Sequence, residues 1–345
     1  MRREYPRCVI NLNHLEDNVR AAIRRCNHVG IDVTGVIKGA NGAPEVAKAY
    51  VEGGIGSLAT SRLEQIETLI AAGIKVPLTL VRIPMMSEVD DVVRLTDTSL
   101  NTEPTVLRAL NEAAAKQEKI HNVILMHDVG DLREGFWDVK EAVDTALLIE
   151  KELKNLYLQG VGTNVGCYGS VEPTVETLEK LVVVAKEIEA AIGRKLDIVS
   201  GGASSSLMRV WDEDMPEGIN HLRLGGEMML AYTNQMVYGY DMSEFHRDTF
   251  RLDAEIEEIK MKPSEGGTMR KYAVLNVGTS DYCNVTSIMP QDESIHLVAS
   301  YDDCTVFDVQ DSPIHYNVGD IVSFDLRYGA MCYLTRGGDV KIEFI

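Results

Sequence analysis

The chain has 345 residues, of which 45% are hydrophobic and 25% are charged, and its formal net charge is −19. This is a globular composition, long enough for one large domain and a smaller one. The negative charge argues against nucleic acid or an anionic membrane as a partner, and no apolar run approaches the roughly 20 residues that span a bilayer. The six cysteines form no Cys-x-x-Cys pair, so we expect reduced thiols and a cytoplasmic location.

The first 240 residues alternate short apolar runs with amphipathic helix patterns. A strand-like run at 8–12 precedes a helix, for which Asn13 is the predicted N-cap. The next apolar run begins at Val33 and ends in Lys38, which is followed at once by a glycine-containing turn. Farther along, Ser61 and Glu64 have the spacing of a capping box that opens another helix.

About eight strand–helix units follow one another from the lysine strand onward, which predicts a parallel sheet covered by helices. Eight units in roughly 200 residues favour closure into a (β/α)8 barrel, with a doubly wound open sheet as the alternative. Functional residues of such barrels lie at the C-terminal ends of the strands. The residues predicted at these ends are Lys38, Arg82, Asn101, Asp128, Asn164, Ser200 and Arg223.

The pattern changes after residue 240, where alternating apolar and polar residues, such as those at 252–259, replace the helical periodicity. Together with clusters of turn-forming residues, these runs predict a separate all-β domain. We therefore divide the chain into a barrel at 1–240 and a β-domain at 241–345. The first strand, at 8–12, either joins the β-domain sheet or closes the bottom of the barrel.

Three features of the barrel carry possible chemistry. Lys38 is a candidate Schiff-base former or general base, which needs burial or nearby cations, although a solvated lysine that closes a strand is the commoner case. The run Ser200–Ser206 offers backbone N–H groups and hydroxyls to a phosphate, although many such runs are only loops. Arg133 and Arg223 follow strands, and each has the simpler interpretation of a solvated or paired charge. The eight histidines lack metal-binding spacing, so we expect no metal site.

Several stretches resemble the alanine/ornithine racemase family of fold-type III pyridoxal 5′-phosphate (PLP) enzymes, and most closely its ornithine racemase branch. The resemblance covers nearly the whole chain and is more specific in the barrel than in the β-domain. It implies a (β/α)8 TIM barrel with a C-terminal all-β domain, and a homodimer in which each β-domain completes the partner's site. The matching stretches are Val81–Glu88, Ser99–Glu103, Gly130–Gly135, Gly162–Gly169 and Ser200–Ser206.

The resemblance also implies roles in cofactor binding. Lys38 would form the Schiff base with PLP, and Arg223 would face the pyridine nitrogen. Asn164 stands where alanine racemase has a histidine beside the pyridine ring. The phosphate would be held by one of two serines and by a glycine backbone, namely Ser204 or Ser205, with Gly225 and Gly226.

A racemase needs a second acid/base on the substrate face opposite Lys38, and here the chain departs from the family pattern. Alanine racemase has a tyrosine in a Gly-Tyr-x-Asp stretch of the partner's β-domain, but Thr279 occupies that place in this sequence. A threonine hydroxyl is a poor base at neutral pH. The first candidate is therefore Tyr282, and the other candidates are Asp281, Cys283 and Cys167.

Three further positions bear on the substrate. Arg133 falls where alanine racemase has an arginine near the substrate carboxylate. Gly42 replaces a tyrosine, which would leave room for a substrate longer than alanine. Asp303 resembles a β-domain position near the site entrance, where a carboxylate could meet a distal ammonium. The resemblance thus implies a racemase for a basic amino acid such as ornithine or lysine.

Four alternatives remain open from the sequence. One is a PLP lyase on the same fold, either a D-amino-acid aldolase or a decarboxylase, and another is specificity for alanine. A third is a non-catalytic PLP carrier, although the carriers known in the family lack a long β-domain. In the fourth, no PLP is present and Lys38 forms a Schiff base directly with a phosphorylated carbonyl substrate.

Overall fold

The computed structural model describes residues 4–166, 171–231 and 233–345. The chain begins with strand β1 (Arg7–Ile10) and helix α1 (Leu12–His28). Within the described residues, eight parallel strands then close into a barrel in sequence order. They are β2 (Asp32–Val36), β3 (Leu58–Thr60), β4 (Leu78–Leu80), β5 (Thr98–Asn101), β6 (His121–Met126), β7 (Leu156–Gly162), β8 (Ile198–Ser200) and β9 (His221–Leu224).

Helices connect successive strands of the barrel and follow its last strand. The closed order from β2 to β9 confirms the predicted (β/α)8 barrel and rejects the open sheet. The helices are α2 (Pro44–Glu52), α3 (Leu63–Ala71), α4 (Val89–Leu95), α5 (Pro104–Lys116), α6 (Val139–Glu152), α7 (Val175–Ile192), α8 (Leu207–Trp211), α9 (Gly226–Leu230) and α10 (Thr233–Tyr238).

Two predicted helix starts are wrong in detail. Asn11, not Asn13, caps α1, because its side-chain oxygen accepts a hydrogen bond from the His14 backbone N–H at 3.1 Å. Strand β1 ends at residue 10, so the chain enters the helix before Asn13. The capping box at Ser61 does not form, since α3 has no side-chain cap bond. The Ser61 carbonyl instead accepts a hydrogen bond from Arg82 Nε at 2.7 Å.

The core lies in two places. Between the strands and the surrounding helices is a large apolar layer that continues into the second sheet. Inside the barrel, a small separate cluster is formed by inward side chains from neighbouring strands, as expected for a packed barrel interior. Its buried members are Val36, Ala59, Val81, Leu100, Ile124 and Met126.

The strands of the second sheet that follow the barrel are β10 (Phe250–Pro263), β11 (Met269–Leu275), β12 (Ile288–Pro290), β13 (His296–Ser300), β14 (Thr305–Asp308), β15 (Ile321–Leu326) and β16 (Lys341–Phe344). The order of the sheet is β12-β15-β10-β11-β14-β13, with β1 attached to β10 and β16 attached to β1. Strand β1 pairs antiparallel with β10, from Arg7 opposite Asp253 to Ile10 opposite Phe250, and parallel with β16. The N-terminal strand therefore belongs to this sheet and does not close the barrel bottom.

The C-terminal region also contains two short helices that the sequence analysis missed, α11 (Thr279–Tyr282) and α12 (Tyr328–Leu334). Helix α12 packs on the turn that carries Lys38: the Thr335 hydroxyl donates to the Gly39 carbonyl at 2.9 Å. A seven-residue helix has too few turns for a periodic pattern to reveal it. None of the helices among the described residues combines the length and apolar character needed to span a bilayer.

Candidate active site

A cavity of about 370 Å³ opens at the C-terminal ends of the barrel strands. Its volume is within the range of about 300–1,000 Å³ that is usual for small-molecule sites. The cavity brings together eight residues predicted from the sequence, namely Lys38, Arg133, Asn164, Ser204, Ser205, Arg223, Gly225 and Gly226. The sequence analysis missed four lining residues whose side chains are charged, aromatic or large, namely Glu227, Leu230, Tyr238 and Tyr328.

Arg223 is the most firmly held charged group in the cavity wall. Its side chain is buried, and Nη1 donates to Ser200 Oγ at 2.5 Å. Nη2 donates to the Thr163 carbonyl at 2.6 Å and to Asn164 Oδ1 at 3.0 Å. Because a guanidinium does not give up its proton in proteins, this arrangement presents a fixed, permanently charged donor to the cavity.

Asn164 links Arg223 to a second arginine through Glu134, a residue that the sequence analysis missed. The Asn164 amide nitrogen donates to Glu134 Oε1 at 2.8 Å, and Arg133 donates to both oxygens of the same carboxylate. Burial by itself raises the pKa of Glu134, but the hydrogen bonds and charge of Arg133, and then the charge of Arg223, lower it below its ordinary value. The sequence signal was the acidic residue directly after Arg133.

The loop that carries Arg133 is organised by Asp128, at the end of β6. The Asp128 carboxylate accepts hydrogen bonds from three backbone N–H groups, those of Gly130 (2.8 Å), Leu132 (3.2 Å) and Arg133 (3.1 Å). A carboxylate shared by several amides holds such a turn tightly. Asp128 therefore places the Arg133 side chain at the cavity and is not itself a lining residue.

The cavity wall near Gly225 is suited to an anionic group. The Ser204 hydroxyl oxygen accepts from the backbone N–H groups of Gly225 (3.3 Å) and Glu227 (3.4 Å), whereas the Ser205 hydroxyl donates to the Val165 carbonyl at 2.5 Å. A Cβ at Gly225 would lie 2.6 Å from the Val36 carbonyl oxygen, so only glycine allows this close approach. Backbone amides and a hydroxyl of this kind suit the binding of a phosphate.

Lys38 begins a short 3₁₀ turn directly after β2, and its side chain is exposed at the cavity. Gly42, four residues later, has φ +70°, a conformation that favours glycine. A Cβ at Gly42 would lie 2.7 Å from Gln65 Cβ. A side chain added at position 42 on this backbone would therefore meet Gln65, and the interpretation that Gly42 leaves room for a longer substrate stays a prediction.

Tyr282 is not brought to the cavity. Its side chain is fully buried inside the β-domain, and its hydroxyl is hydrogen-bonded to Ser300 Oγ and, at 2.6 Å, to Thr305 Oγ1. Such a hydroxyl is already satisfied and lacks access to a substrate. The geometry therefore argues against the second acid/base role that the sequence suggested for Tyr282, and favours a structural role.

The other predicted residues of the β-domain that the structure describes lie together at one tip, and none of them lines the cavity of its own barrel. The Thr279 N–H donates to the Tyr301 carbonyl at 2.8 Å, which joins α11 to the turn between β13 and β14. Cys283 and Asp303 are exposed at this tip, and Asp281 is half-buried. Asp281 accepts a hydrogen bond from the Gly278 N–H at 2.9 Å. The fourth candidate, Cys167, lies outside the described residues.

Two of the predicted strand-end residues have structural partners outside the cavity. Arg82 forms a bidentate ion pair with Glu88. Asn101 is fully buried and donates to the Ser99 carbonyl at 2.8 Å and to the Ser99 hydroxyl at 3.0 Å. Position at a strand end was therefore not sufficient to select the residues that line the cavity.

Among the described residues, one cluster outside the barrel mouth brings possible metal ligands within 4.8 Å of one another: His14, His246 and Asp248. His14 Nδ1 is hydrogen-bonded to Asp248 Oδ1 at 2.8 Å, and the two imidazole rings stack with centroids 4.0 Å apart and planes 11° from parallel. Imidazole lone pairs lie in the ring plane, so parallel rings do not direct them at a common point. This geometry fits a hydrogen-bonded histidine pair better than a metal centre.

Buried histidines make the fold sensitive to acid. Burial lowers the pKa of His121 to about 4, and burial followed by the charge of Arg223 lowers the pKa of His221 to about 3. The unfolded chain takes up these protons near the ordinary value, so stability falls as the pH drops below about 6.5, by up to about 1.4 kcal/mol per pH unit for each histidine. Urea unfolding from neutral to acidic pH measures this slope.

The slope should become shallower in His121→Asn, which removes one of the two groups. His28 provides the control, because its side chain is 75% exposed and His28→Asn should leave the slope as it is in the parent protein. A slope that is the same in His121→Asn and the parent would contradict this assignment.

Residues 10–232 match the family model for the alanine racemase N-terminal domain. The chain belongs to the alanine racemase family. It is 35% identical to the ornithine racemase of Acetoanaerobium sticklandii over 344 residues, which cover 95% of this chain and 96% of that protein. It is 32% identical to the lysine racemase of Thermotoga maritima over 347 residues, which cover 95% of each.

The fold agrees with solved structures of the same family. The alanine racemase of a D-cycloserine-producing Streptomyces lavendulae superimposes with a TM-score of 0.79 at 19% sequence identity, over 99% of this chain and 98% of that chain. The family and the two-part fold predicted from the sequence are therefore confirmed.

Proposed function

We propose that this member of the alanine racemase family is a PLP-dependent racemase that interconverts the L- and D-enantiomers of a basic amino acid such as ornithine or lysine. The observation that carries the proposal is the convergence of Lys38, the buried Arg223 and the Ser204 cradle on one cavity. The ornithine and lysine racemases, which each align over 95% of this chain, support the choice of a basic substrate.

The cavity residues fit PLP in each of its parts. Lys38 would hold the cofactor covalently, and the amides around Ser204 would take its phosphate. Arg223 would face the pyridine nitrogen, with Asn164 beside it. When bound, PLP would supply the electron sink that stabilises the negative charge left at the substrate Cα.

The protein's own groups would steer this chemistry toward racemisation. Arg223 can donate a hydrogen bond but does not give up its proton, so the pyridine nitrogen opposite it would stay unprotonated. A weaker electron sink favours rapid return of a proton to Cα over transamination. Arg133, held by Asp128 and Glu134, would bind the substrate carboxylate.

Proton transfer on the two faces of Cα needs two groups. The amine of Lys38 would accept or return the proton on one face. The second group would come from the β-domain tip of a partner subunit in a homodimer, because Asp281, Cys283 and Asp303 do not line the cavity of their own barrel. Cys283 is the exposed candidate there, and a thiol is more acidic than a threonine hydroxyl. Asp303 of the partner subunit would meet the distal ammonium of a basic substrate.

Replacing Cys283 with alanine should impair Cα proton exchange from one enantiomer by about 10²- to 10⁴-fold, the usual contribution of one acid/base group, while exchange from the other enantiomer continues. NMR of each enantiomer in heavy water measures both rates separately. Tyr282→Phe is the matched control, because the buried hydroxyl should affect stability and leave the exchange symmetrical. Symmetrical exchange in Cys283→Ala would transfer the role to Asp281 or Cys167.

The experiment that tests the function is NMR of the purified protein with L-ornithine, L-lysine and L-alanine in heavy water, combined with a chiral assay. Deuterium at Cα together with the D-enantiomer would establish racemisation and rank the substrates. No exchange from a PLP-loaded protein would favour the lyase or the carrier alternative. A protein that binds no PLP would favour direct Schiff-base chemistry at Lys38.

The proposal also includes the domain boundaries, the location and the partners of the protein. The barrel would comprise 1–240 without its first strand, and the β-domain would comprise 241–345 with that strand added. The five cysteines within the described residues are all free thiols, which supports a cytoplasmic location. An amino acid is the expected small-molecule partner, and neither nucleic acid nor a membrane is expected.

A further inference from the structure

A line of hydrogen bonds leads from Arg223 into the interior of the barrel. Arg223 Nη1 donates to Ser200 Oγ at 2.5 Å, and Ser200 Oγ lies 2.9 Å from His221 Nδ1. On the other side of the ring, His221 Nε2 lies 2.9 Å from Thr34 Oγ1, which lies 2.7 Å from Ser57 Oγ. Strands β8, β9 and β2 each contribute one of the three central residues, so adjacent strands of the barrel hold the line together.

The direction of these hydrogen bonds follows from Arg223, which can only donate. Ser200 Oγ accepts from Arg223, and its side chain is fully buried, so water does not take its proton. The nearby acceptor for the Ser200 proton is His221 Nδ1. His221 therefore carries its proton on Nε2 and donates it to Thr34, so the donors between Arg223 and Thr34 point away from the cavity.

A protonated His221 would break this arrangement. An N–H at Nδ1 would face Ser200, so the Ser200 hydroxyl proton would lose its acceptor. Buried donors without an acceptor are rare, because they destabilise the fold. It would also place a second positive charge close to Arg223. Burial, and then the charge of Arg223, lower the pKa of His221, in agreement with a neutral ring.

The far end of the line reaches a second cavity, of about 400 Å³, at the N-terminal ends of the strands. Thr34, Ser57 and His221 line it, together with Asp32 and Asn220, which lie at the starts of β2 and β9. Solvent can therefore satisfy the last hydroxyl, that of the half-buried Ser57. The line of hydrogen bonds therefore runs from Arg223 at one end to solvent beside Ser57 at the other.

We propose that His221 is a positioning residue, which in its neutral Nε2–H form directs a Ser200 lone pair at Arg223 and so fixes the guanidinium against the cofactor's ring nitrogen. The inference rests on the proposed function for the role of Arg223. It adds a residue that touches neither substrate nor cofactor but acts on the reaction through two others. Its consequence is control of the partition between racemisation and transamination.

The first test needs no cofactor. Long-range ¹H–¹⁵N correlation spectra of the apoprotein, labelled with ¹⁵N-histidine, report which ring nitrogen carries the proton. The His221 signals are identified by their loss in His221→Asn. We expect a neutral ring with the proton on Nε2 throughout the range from about pH 5 to pH 8, in which ordinary histidines titrate. A proton on Nδ1, or titration within that range, would overturn the proposal.

The second test uses the PLP-loaded enzyme and measures pyridoxamine phosphate formed per racemisation turnover. His221→Leu and Ser200→Ala should each raise this ratio about tenfold, the value of one lost hydrogen bond. His221→Asn keeps an acceptor near the Nδ1 position, so the ratio in this variant should lie within about twofold of the ratio in the parent enzyme. Ser200→Ala removes one small group, so it decides the matter if His221→Leu does not fold.

His121→Leu is the matched control, because His121 is also buried in the barrel and bonded to a serine, Ser99, at 2.8 Å. It should lower stability and leave the product ratio unchanged. An unchanged ratio in both His221→Leu and Ser200→Ala, an equal rise in His121→Leu, or no recovery in His221→Asn would overturn the proposal. If the parent protein racemises nothing, the proposed function fails, and the apoprotein spectra still decide the state of His221.

Discussion

Lys38→Ala is expected to abolish both racemisation and the visible absorption of bound PLP. The substitution removes the covalent attachment point and the base for one face of Cα, so the rate should fall by more than about 10⁴-fold, the upper end of what one acid/base group contributes. The cavity itself should persist, because the contacts of the neighbouring turn are made by Gly39 and Thr335. Absorption spectra and the chiral assay measure the two losses.

The control is Lys48→Ala on α2, where the lysine is exposed on the outside of the same strand–helix unit. That variant should keep the parent spectrum and rate. A Lys38→Ala protein with the visible band of the parent would show that the cofactor is attached elsewhere, and it would remove the central residue of the proposed site.

Arg223→Glu is expected to change the outcome of the reaction as well as its rate. A carboxyl group opposite the pyridine nitrogen would let that nitrogen take a proton, which strengthens the electron sink and favours transamination. Loss of the buried donor should lower racemisation by about 10²- to 10³-fold, as for other preorganised charged donors. The amounts of D-enantiomer and pyridoxamine phosphate, measured in the same reaction, give the partition.

Arg82→Gln is the matched control, because Arg82 is also an arginine at the end of a barrel strand, β4, but pairs with Glu88 outside the cavity. It should lower stability without altering the partition. Because Arg223→Glu introduces a carboxylate near Asn164 and Glu134, circular dichroism is used to check that the barrel of this variant is intact. A folded Arg223→Glu enzyme with the parent product ratio would argue against placing Arg223 at the pyridine nitrogen.

Local patterns were sufficient for much of the barrel. The alternation of apolar runs and amphipathic segments predicted β2 to β9 in order, since strand and helix periods are properties of neighbouring residues. The start of α2 at Pro44 and the end of α7 at Gly193 follow from backbone preferences that these residues carry themselves. The eight predicted cavity residues came from motifs in which a strand end and its loop are contiguous.

The positions of two tyrosines required the tertiary structure. Tyr282 had the right chemistry for a base, but its contacts with Ser300 and Thr305, 18 and 23 residues away, bury it. Tyr328 lines the cavity because α12 docks against the Lys38 turn, nearly 300 residues earlier. Sequence spacing carries no information about such contacts, because they depend on how distant elements pack.

The line from Arg223 through Ser200 and His221 to Thr34 shows the same division most clearly. Each of these residues lies on a strand that the sequence predicted, and Arg223 was selected from its motif. Their connection depends on the register of β8, β9 and β2, and the first strand of the barrel meets the last only when the sheet closes. The sequence by itself determined the barrel, which follows from local patterns, and the family and the cavity residues, which follow from the resemblance of contiguous motifs to known racemases. Only barrel closure and domain packing decided which buried groups touch.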